Sequence, residues 1–128
     1  MSRVRSFIHL FDHTTDLERY PAGALIYNEG DPGHTMYVLK EGLVEIRYHG
    51  NAVATLEPGD IFGEMALIEG HVRIASAASI TDTVLVPIDQ RRFHFMVTQT
   101  PRFATDVMAV MADRIKLLLE HSYGMARK

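Results

Sequence analysis

The chain has 128 residues, 47% hydrophobic and 23% charged, with a formal net charge of −3. That is enough for one domain with a real core and too little for two, and the acidic balance excludes a general nucleic-acid binder. The absence of cysteine excludes disulfides, thiolate catalysis and cysteine–zinc sites and is compatible with a reducing cytoplasm.

The first segment, about residues 1–20, carries Val4, Phe7, Ile8, Leu10, Phe11 and Leu17. Its early part fits an apolar helical stripe, so an N-terminal helix is expected. The apolar run is too short for a secretory signal and lacks a small-residue cleavage site. No stretch approaches the roughly 18 apolar residues needed to span a bilayer. A soluble cytoplasmic protein is the expectation.

From about residue 21 to 88 the pattern changes to short apolar segments between turn signals. These are Asn28-Glu-Gly-Asp-Pro-Gly33, Glu41-Gly42, His49-Gly-Asn51, Glu57-Pro-Gly-Asp60 and Glu69-Gly70. Turns recurring about every ten residues mark a sandwich, jelly roll or barrel. Within the segments the period is two. Val44, Ile46 and Tyr48 lie on one face, with Glu45 and Arg47 on the other. Val84, Val86 and Ile88 alternate with Thr83, Leu85 and Pro87, and the proline predicts a strand end or edge.

After Pro87 helices follow, over about residues 89–123. Asp89 can cap a short helix over roughly 90–98, and Thr100-Pro101 reads as a cap with proline at the first helical position. A long helix over about 101–122 is expected. Ala104, Met108, Met111, Ile115 and Leu118 form a 4-3-4-3 stripe on it, widened by Val107, Val110, Leu117 and Leu119. That is more apolar surface than one packed face uses, so a homodimer through this helix is expected.

One segment interrupts the β pattern. In Ile61-Phe-Gly-Glu-Met-Ala-Leu-Ile-Glu-Gly-His-Val-Arg-Ile-Ala-Ser76 a glycine opens a short helix over 64–68. The free N–H groups of a helix start suit an anion. Arg73 adds a fork of donors that matches a phosphate, and Glu64 can accept from a sugar hydroxyl. These residues taken singly also have plain structural roles, as a helix-capping carboxylate and a surface ion pair.

Phe62-Gly-Glu-Met-Ala-Leu-Ile-Glu-Gly-His-Val-Arg-Ile-Ala-Ser76 resembles the phosphate-binding cassette of cyclic nucleotide-binding domains. That family includes the catabolite activator protein, protein kinase A regulatory subunits and cyclic nucleotide-gated channels. Gly30-Asp-Pro-Gly-His-Thr-Met-Tyr-Val-Leu-Lys-Glu-Gly-Leu-Val-Glu-Ile46 and Leu56-Glu-Pro-Gly-Asp-Ile-Phe-Gly63 resemble its upstream signatures. The resemblance covers about residues 7–120. It implies an eight-stranded, jelly-roll-like β-roll, mainly β with flanking α, with an N-terminal helix, a short phosphate-binding helix and C-terminal helices. It implies a ligand set of Phe62, Gly63, Glu64, Met65, Ala66, Arg73, Ile74 and Ala75. Within it, Gly63, Glu64, Met65 and Ala66 would give N–H groups to the cyclic phosphate and Glu64 would accept from the ribose 2′-hydroxyl. Arg73 would pair with the phosphate, and Ile74 would add its backbone N–H. The purine would be closed over from somewhere in Met108–Leu119.

Ile74 stands where the family often has threonine, serine or alanine. It lacks the hydroxyl associated with contacts to the guanine amino group, so cyclic AMP is favoured over cyclic GMP as ligand. The chain ends at Lys128 with no helix-turn-helix, kinase, channel or exchange-factor segment. The expectation is therefore a stand-alone, non-enzymatic sensor that signals to a separate, unidentified effector, without direct nucleic-acid contact. A ligand-free interaction protein on the same roll is the alternative. A cupin-type metalloenzyme is a third reading, against which His34-Thr-Met36 lacks the second histidine of a metal pair. No prosthetic group or metal is expected.

Overall fold

The computed structural model describes residues 16–68 and 72–126. The expected N-terminal helix lies mostly outside them, but its last residues are corrected: Glu18–Tyr20 form a strand, β1. Then come β2 (Leu25–Tyr27), β3 (Thr35–Glu41), β4 (Val44–Tyr48), β5 (Asn51–Leu56) and β6 (Ile61–Phe62). The short helix α1 (Glu64–Ile68) follows, then β7 (Ser76–Ser79), β8 (Thr83–Asp89), α2 (Gln90–Gln99) and α3 (Pro101–Ala126).

The eight strands form two antiparallel sheets, ordered β1-β8-β3-β6 and β2-β7-β4-β5. Strand β4 keeps the expected alternation: Val44 and Ile46 are buried while Arg47 is exposed. Strand β8 does not, because it is buried on both faces. Leu85 points into the core between the sheets, with Leu39, Val44, Ile46 and Phe62. Val86 and Ile88 point the other way, into a second core with Met36, Val38, Phe103 and Val107. The sheet is the middle layer, and α2 and α3 cover its outer face. The partner strand β3 divides in the same way, with Met36 and Val38 toward the helices and Tyr37 and Leu39 toward the other sheet, as a period of two requires.

Pro87 fits this interior strand because β1 pairs only as far as Leu85. Beyond it β8 is paired on the β3 side alone, through Tyr37↔Pro87, so the missing N–H costs no second ladder bond. Asp89 caps α2 as expected, its carboxylate accepting from the Arg92 N–H at 2.8 Å. The Thr100 carbonyl accepts from the Phe103 N–H at 2.8 Å as α3 begins at Pro101.

On α3, Phe103 and Val107 are buried, and Val110 and Met111 pack against the same core. The large apolar side chains left outward are Met108, Ile115 and Leu119. The outward stripe is thus narrower than the sequence pattern implied, since Met111 faces the core. Among the described residues no helix is long and apolar enough to cross a membrane.

Phe103 is 1% exposed and meets the Phe93 ring at 5.6 Å, so it joins α3 to both α2 and the sheet. Phe103→Ala is expected to lower stability by about 3–5 kcal/mol, measured by urea unfolding followed by circular dichroism.

Candidate functional site

The break between β6 and α1 is made by Gly63, whose φ of +81° lies where a side chain is disfavoured. A Cβ there would also stand 2.7 Å from Arg73 Nη1 and 3.2 Å from the Thr35 carbonyl oxygen. Gly63 is therefore required by local packing as well as by its backbone angle. Helix α1 leaves its first-turn N–H groups without intrahelical partners, and they are those of Glu64, Met65 and Ala66.

Arg73 is the centre of the site and is 5% exposed. Its main chain is clamped by the turn at residues 28–33. The Arg73 N–H donates to the Asp31 carbonyl at 2.8 Å, and the Gly30 N–H donates to the Arg73 carbonyl at 2.8 Å. The turn is closed on itself by the Asn28 N–H donating to the Asp31 carboxylate at 2.9 Å. Nη2 donates to the Thr35 carbonyl at 2.8 Å and Nη1 to the Gly63 carbonyl at 3.2 Å. Pairing of β3 with β6 through Tyr37↔Phe62 brings these two carbonyls together.

The guanidinium lies over the Tyr27 ring, with Cζ 4.1 Å from the ring centroid, a cation–π arrangement strengthened by exclusion of water. Burial raises the Tyr27 phenol above its ordinary range, against the lowering pull of Arg73, so the ring stays neutral at neutral pH. Across the guanidinium stands Gly33, where a Cβ would fall 2.2 Å from Arg73 Nε and 2.5 Å from Cζ. Nε is buried without a hydrogen-bond partner among the described residues.

Glu64 is 2% exposed and faces a cation that the sequence reading missed. Arg114 of α3 places Nη1 3.3 Å from Glu64 Oε2 and 3.5 Å from Oε1, and its Nη2 donates to the Ile61 carbonyl. A buried carboxylate needs such a partner, and this one ties the last helix to α1. Its sequence signal is faint: a single arginine one helical turn before Leu117 and Leu118.

These groups border one pocket of about 510 Å³, counting the space open at its mouth. Every residue of the expected set lines it: Phe62, Gly63, Glu64, Met65, Ala66, Arg73, Ile74 and Ala75. Tyr27, Ile46, Val53, Ala54, Arg114, Leu117 and Leu118 complete the wall. The α3 residues of the wall thus fall inside the Met108–Leu119 window expected to close the site. Ile74, among these lining residues, is 42% exposed. Among the described residues no three histidine, aspartate or glutamate side chains are grouped to hold a metal.

The Gly33–Arg73 approach predicts a specific coupling. Gly33→Ala is expected to cost about 1–3 kcal/mol by overpacking. In an Arg73→Ala background the same change is expected to be neutral or slightly stabilising. A double-mutant cycle by urea unfolding measures it, and additive effects would refute the contact.

Comparison with known proteins follows the same outline. The family described as "Cyclic nucleotide-binding domain" matches residues 17–100. The chain is 36% identical over 101 residues to the Pycsar effector protein XpPycTIR of Xanthomonas perforans, covering 78% of this chain and 33% of that protein. It is 32% identical over 102 residues to the Cyclic AMP receptor protein of Thermus thermophilus, covering 76% and 47%. The crystal structure of Thermus thermophilus Catabolite Activator Protein superposes with a TM-score of 0.75 at 30% identity, over 86% of this chain and 54% of that one. The chain therefore spans a third of the first of these curated relatives and about half of the second.

Proposed function

Because the chain belongs to the cyclic nucleotide-binding domain family, we propose that its pocket binds a 3′,5′-cyclic nucleotide through Phe62–Ala66 and Arg73–Ala75, with cyclic AMP favoured over cyclic GMP. The observation that carries this is the buried Arg73 guanidinium, whose Nε has no partner among the described residues. A buried cation with a spare donor suits an anion. The charges agree: Arg73 and Arg114 against Glu64 leave one positive charge in surplus, matching a singly charged cyclic phosphodiester.

In this reading the α1 N–H groups and Arg73 take the phosphate, and Glu64, steadied by Arg114, accepts from the ribose 2′-hydroxyl. The similarity to a cyclic AMP receptor protein supports adenine. So does the apolar Ile74: a guanine edge has more polar groups to leave unmatched than an adenine edge, and unmatched buried groups are costly.

The domain acts by binding and not by catalysis, in the cytoplasm, without direct nucleic-acid contact. Its output passes through α3. A ligand that touches both the cassette and the residues beside Arg114 favours the arrangement in which they are close, and that shift is read by an effector. A second copy packs on the outward stripe of Met108, Ile115 and Leu119. Ile115→Asp is expected to convert dimer to monomer in analytical ultracentrifugation, and an unchanged monomer in both forms refutes this part.

Arg73→Ala is expected to weaken cyclic AMP binding by about 2–5 kcal/mol in titration calorimetry, and equal affinity in both forms refutes the reading. The internal pairing of Glu64 with Arg114 favours one other reading, a roll that keeps the pocket closed on itself and serves as an interaction surface. It predicts no rise in melting temperature with cyclic AMP or cyclic GMP, whereas specific binding raises it with concentration.

A further inference from the structure

Strand β2 has an irregularity that decides where Tyr27 points. In a regular strand Leu25 and Tyr27 share one face and Ile26 takes the other. Here Leu25 pairs with Ala78 and Tyr27 with Ala77, so a step of two residues on β2 meets a step of one on β7, and the register shifts. Leu25 is left 53% exposed, while Ile26 and Tyr27 both pack against the core between the sheets. A bulge of this kind re-aims a side chain, and bulges collect beside functional sites. Tyr27 is re-aimed at the Arg73 guanidinium, whose Cζ lies 4.1 Å from the centre of its ring.

We propose that Tyr27 is a positioning residue for the ligand's anionic group: its ring holds the Arg73 cation in place without using any of the N–H groups that an anion needs. The inference rests on the binding proposed above and deepens it.

The physical reason lies in the shape of the guanidinium. Its N–H groups radiate in the plane, and its faces carry no donor. The Thr35 and Gly63 carbonyls each accept from one terminal nitrogen, and Nε has no partner among the described residues. A carboxylate brought up to hold the cation would consume in-plane donors and cancel the charge. The Tyr27 ring attracts the same cation through its face and leaves both intact. Burial raises the phenol above its ordinary range, so the ring adds no negative charge to rival the ligand's. Without the ring the guanidinium is held by two carbonyls and is open to Glu64, a carboxylate that borders the same pocket. A cation fixed before the ligand arrives spares the ordering cost on binding. The packing of Tyr27 beside Phe62, with ring centroids 6.1 Å apart, is a core contact that another apolar side chain of similar size could make. The cation is what calls for an aromatic ring.

The test is titration calorimetry with cyclic AMP on the full chain carrying Tyr27→Phe, Tyr27→Leu, or a ring-trifluorinated phenylalanine in place of Tyr27. Tyr27→Phe keeps the ring face and is expected to bind within about threefold of wild type, and Tyr27→Leu about tenfold more weakly. The trifluorinated ring nearly keeps the size of phenylalanine but withdraws electron density from its face. Its affinity is expected to fall toward that of Tyr27→Leu, a change that packing alone would not produce, and it carries the test if leucine prevents folding. Equal affinity of the fluorinated and plain rings, wild-type affinity in Tyr27→Leu, or a loss in Tyr27→Phe as large as in Tyr27→Leu overturns the inference and leaves cyclic nucleotide binding intact. No heat from a wild-type chain that melts cooperatively overturns the binding proposal itself, and this inference with it.

Discussion

A guanidinium taken out of water must be held on every side, and here that requirement falls on Arg73. Two carbonyls accept from it, an aromatic ring lies under it, and Gly33 stands where a larger residue would press on it. Each of these supports comes from a different part of the chain: β3, the end of β6, β2 and the turn before β3. The cost of a buried unpaired charge makes these segments mutually dependent, so the site and the join between the sheets are one construction. The turn at residues 28–33 adds two main-chain bonds to Arg73, which fix where its side chain starts.

The second buried charge extends the same logic to the helices. Glu64 is sealed by α3, and Arg114 answers it. The last helix is thereby coupled to the cassette electrostatically, while Phe103 and Val107 couple it to the sheet by packing. These anchors differ in kind. The apolar one is indifferent to what enters the pocket. The charged one joins two side chains that both line the pocket.

The sheet between the two cores explains why the middle of the fold is so apolar. Strands β3 and β8 carry buried side chains on both faces because one face meets the second sheet and the other meets the helices. For β8, the alternation seen in the sequence separates two interiors, and not an interior from solvent. That distinction is invisible to a period-two pattern, which reports that two faces differ and not what covers each.

After β1, the sequence by itself determined the order of elements, because local causes set it. The turn residues marked the strands, Asp89 and Pro101 marked the starts of α2 and α3, and Gly63 with its left-handed backbone marked the start of α1. It also named Glu64 and Arg73, since their spacing within one short segment carries the resemblance to a phosphate cassette. Tertiary structure decided the rest, because it depends on contacts between residues far apart in the chain. The pairing of Arg114 with Glu64 spans 50 positions. The place of Gly33 against Arg73 and of Tyr27 beneath it follows from strand pairing, and the strand over Glu18–Tyr20 exists because β8 offers an edge to it. Local rules can position a charge along a chain; only the closed fold decides which partner meets it once water is gone.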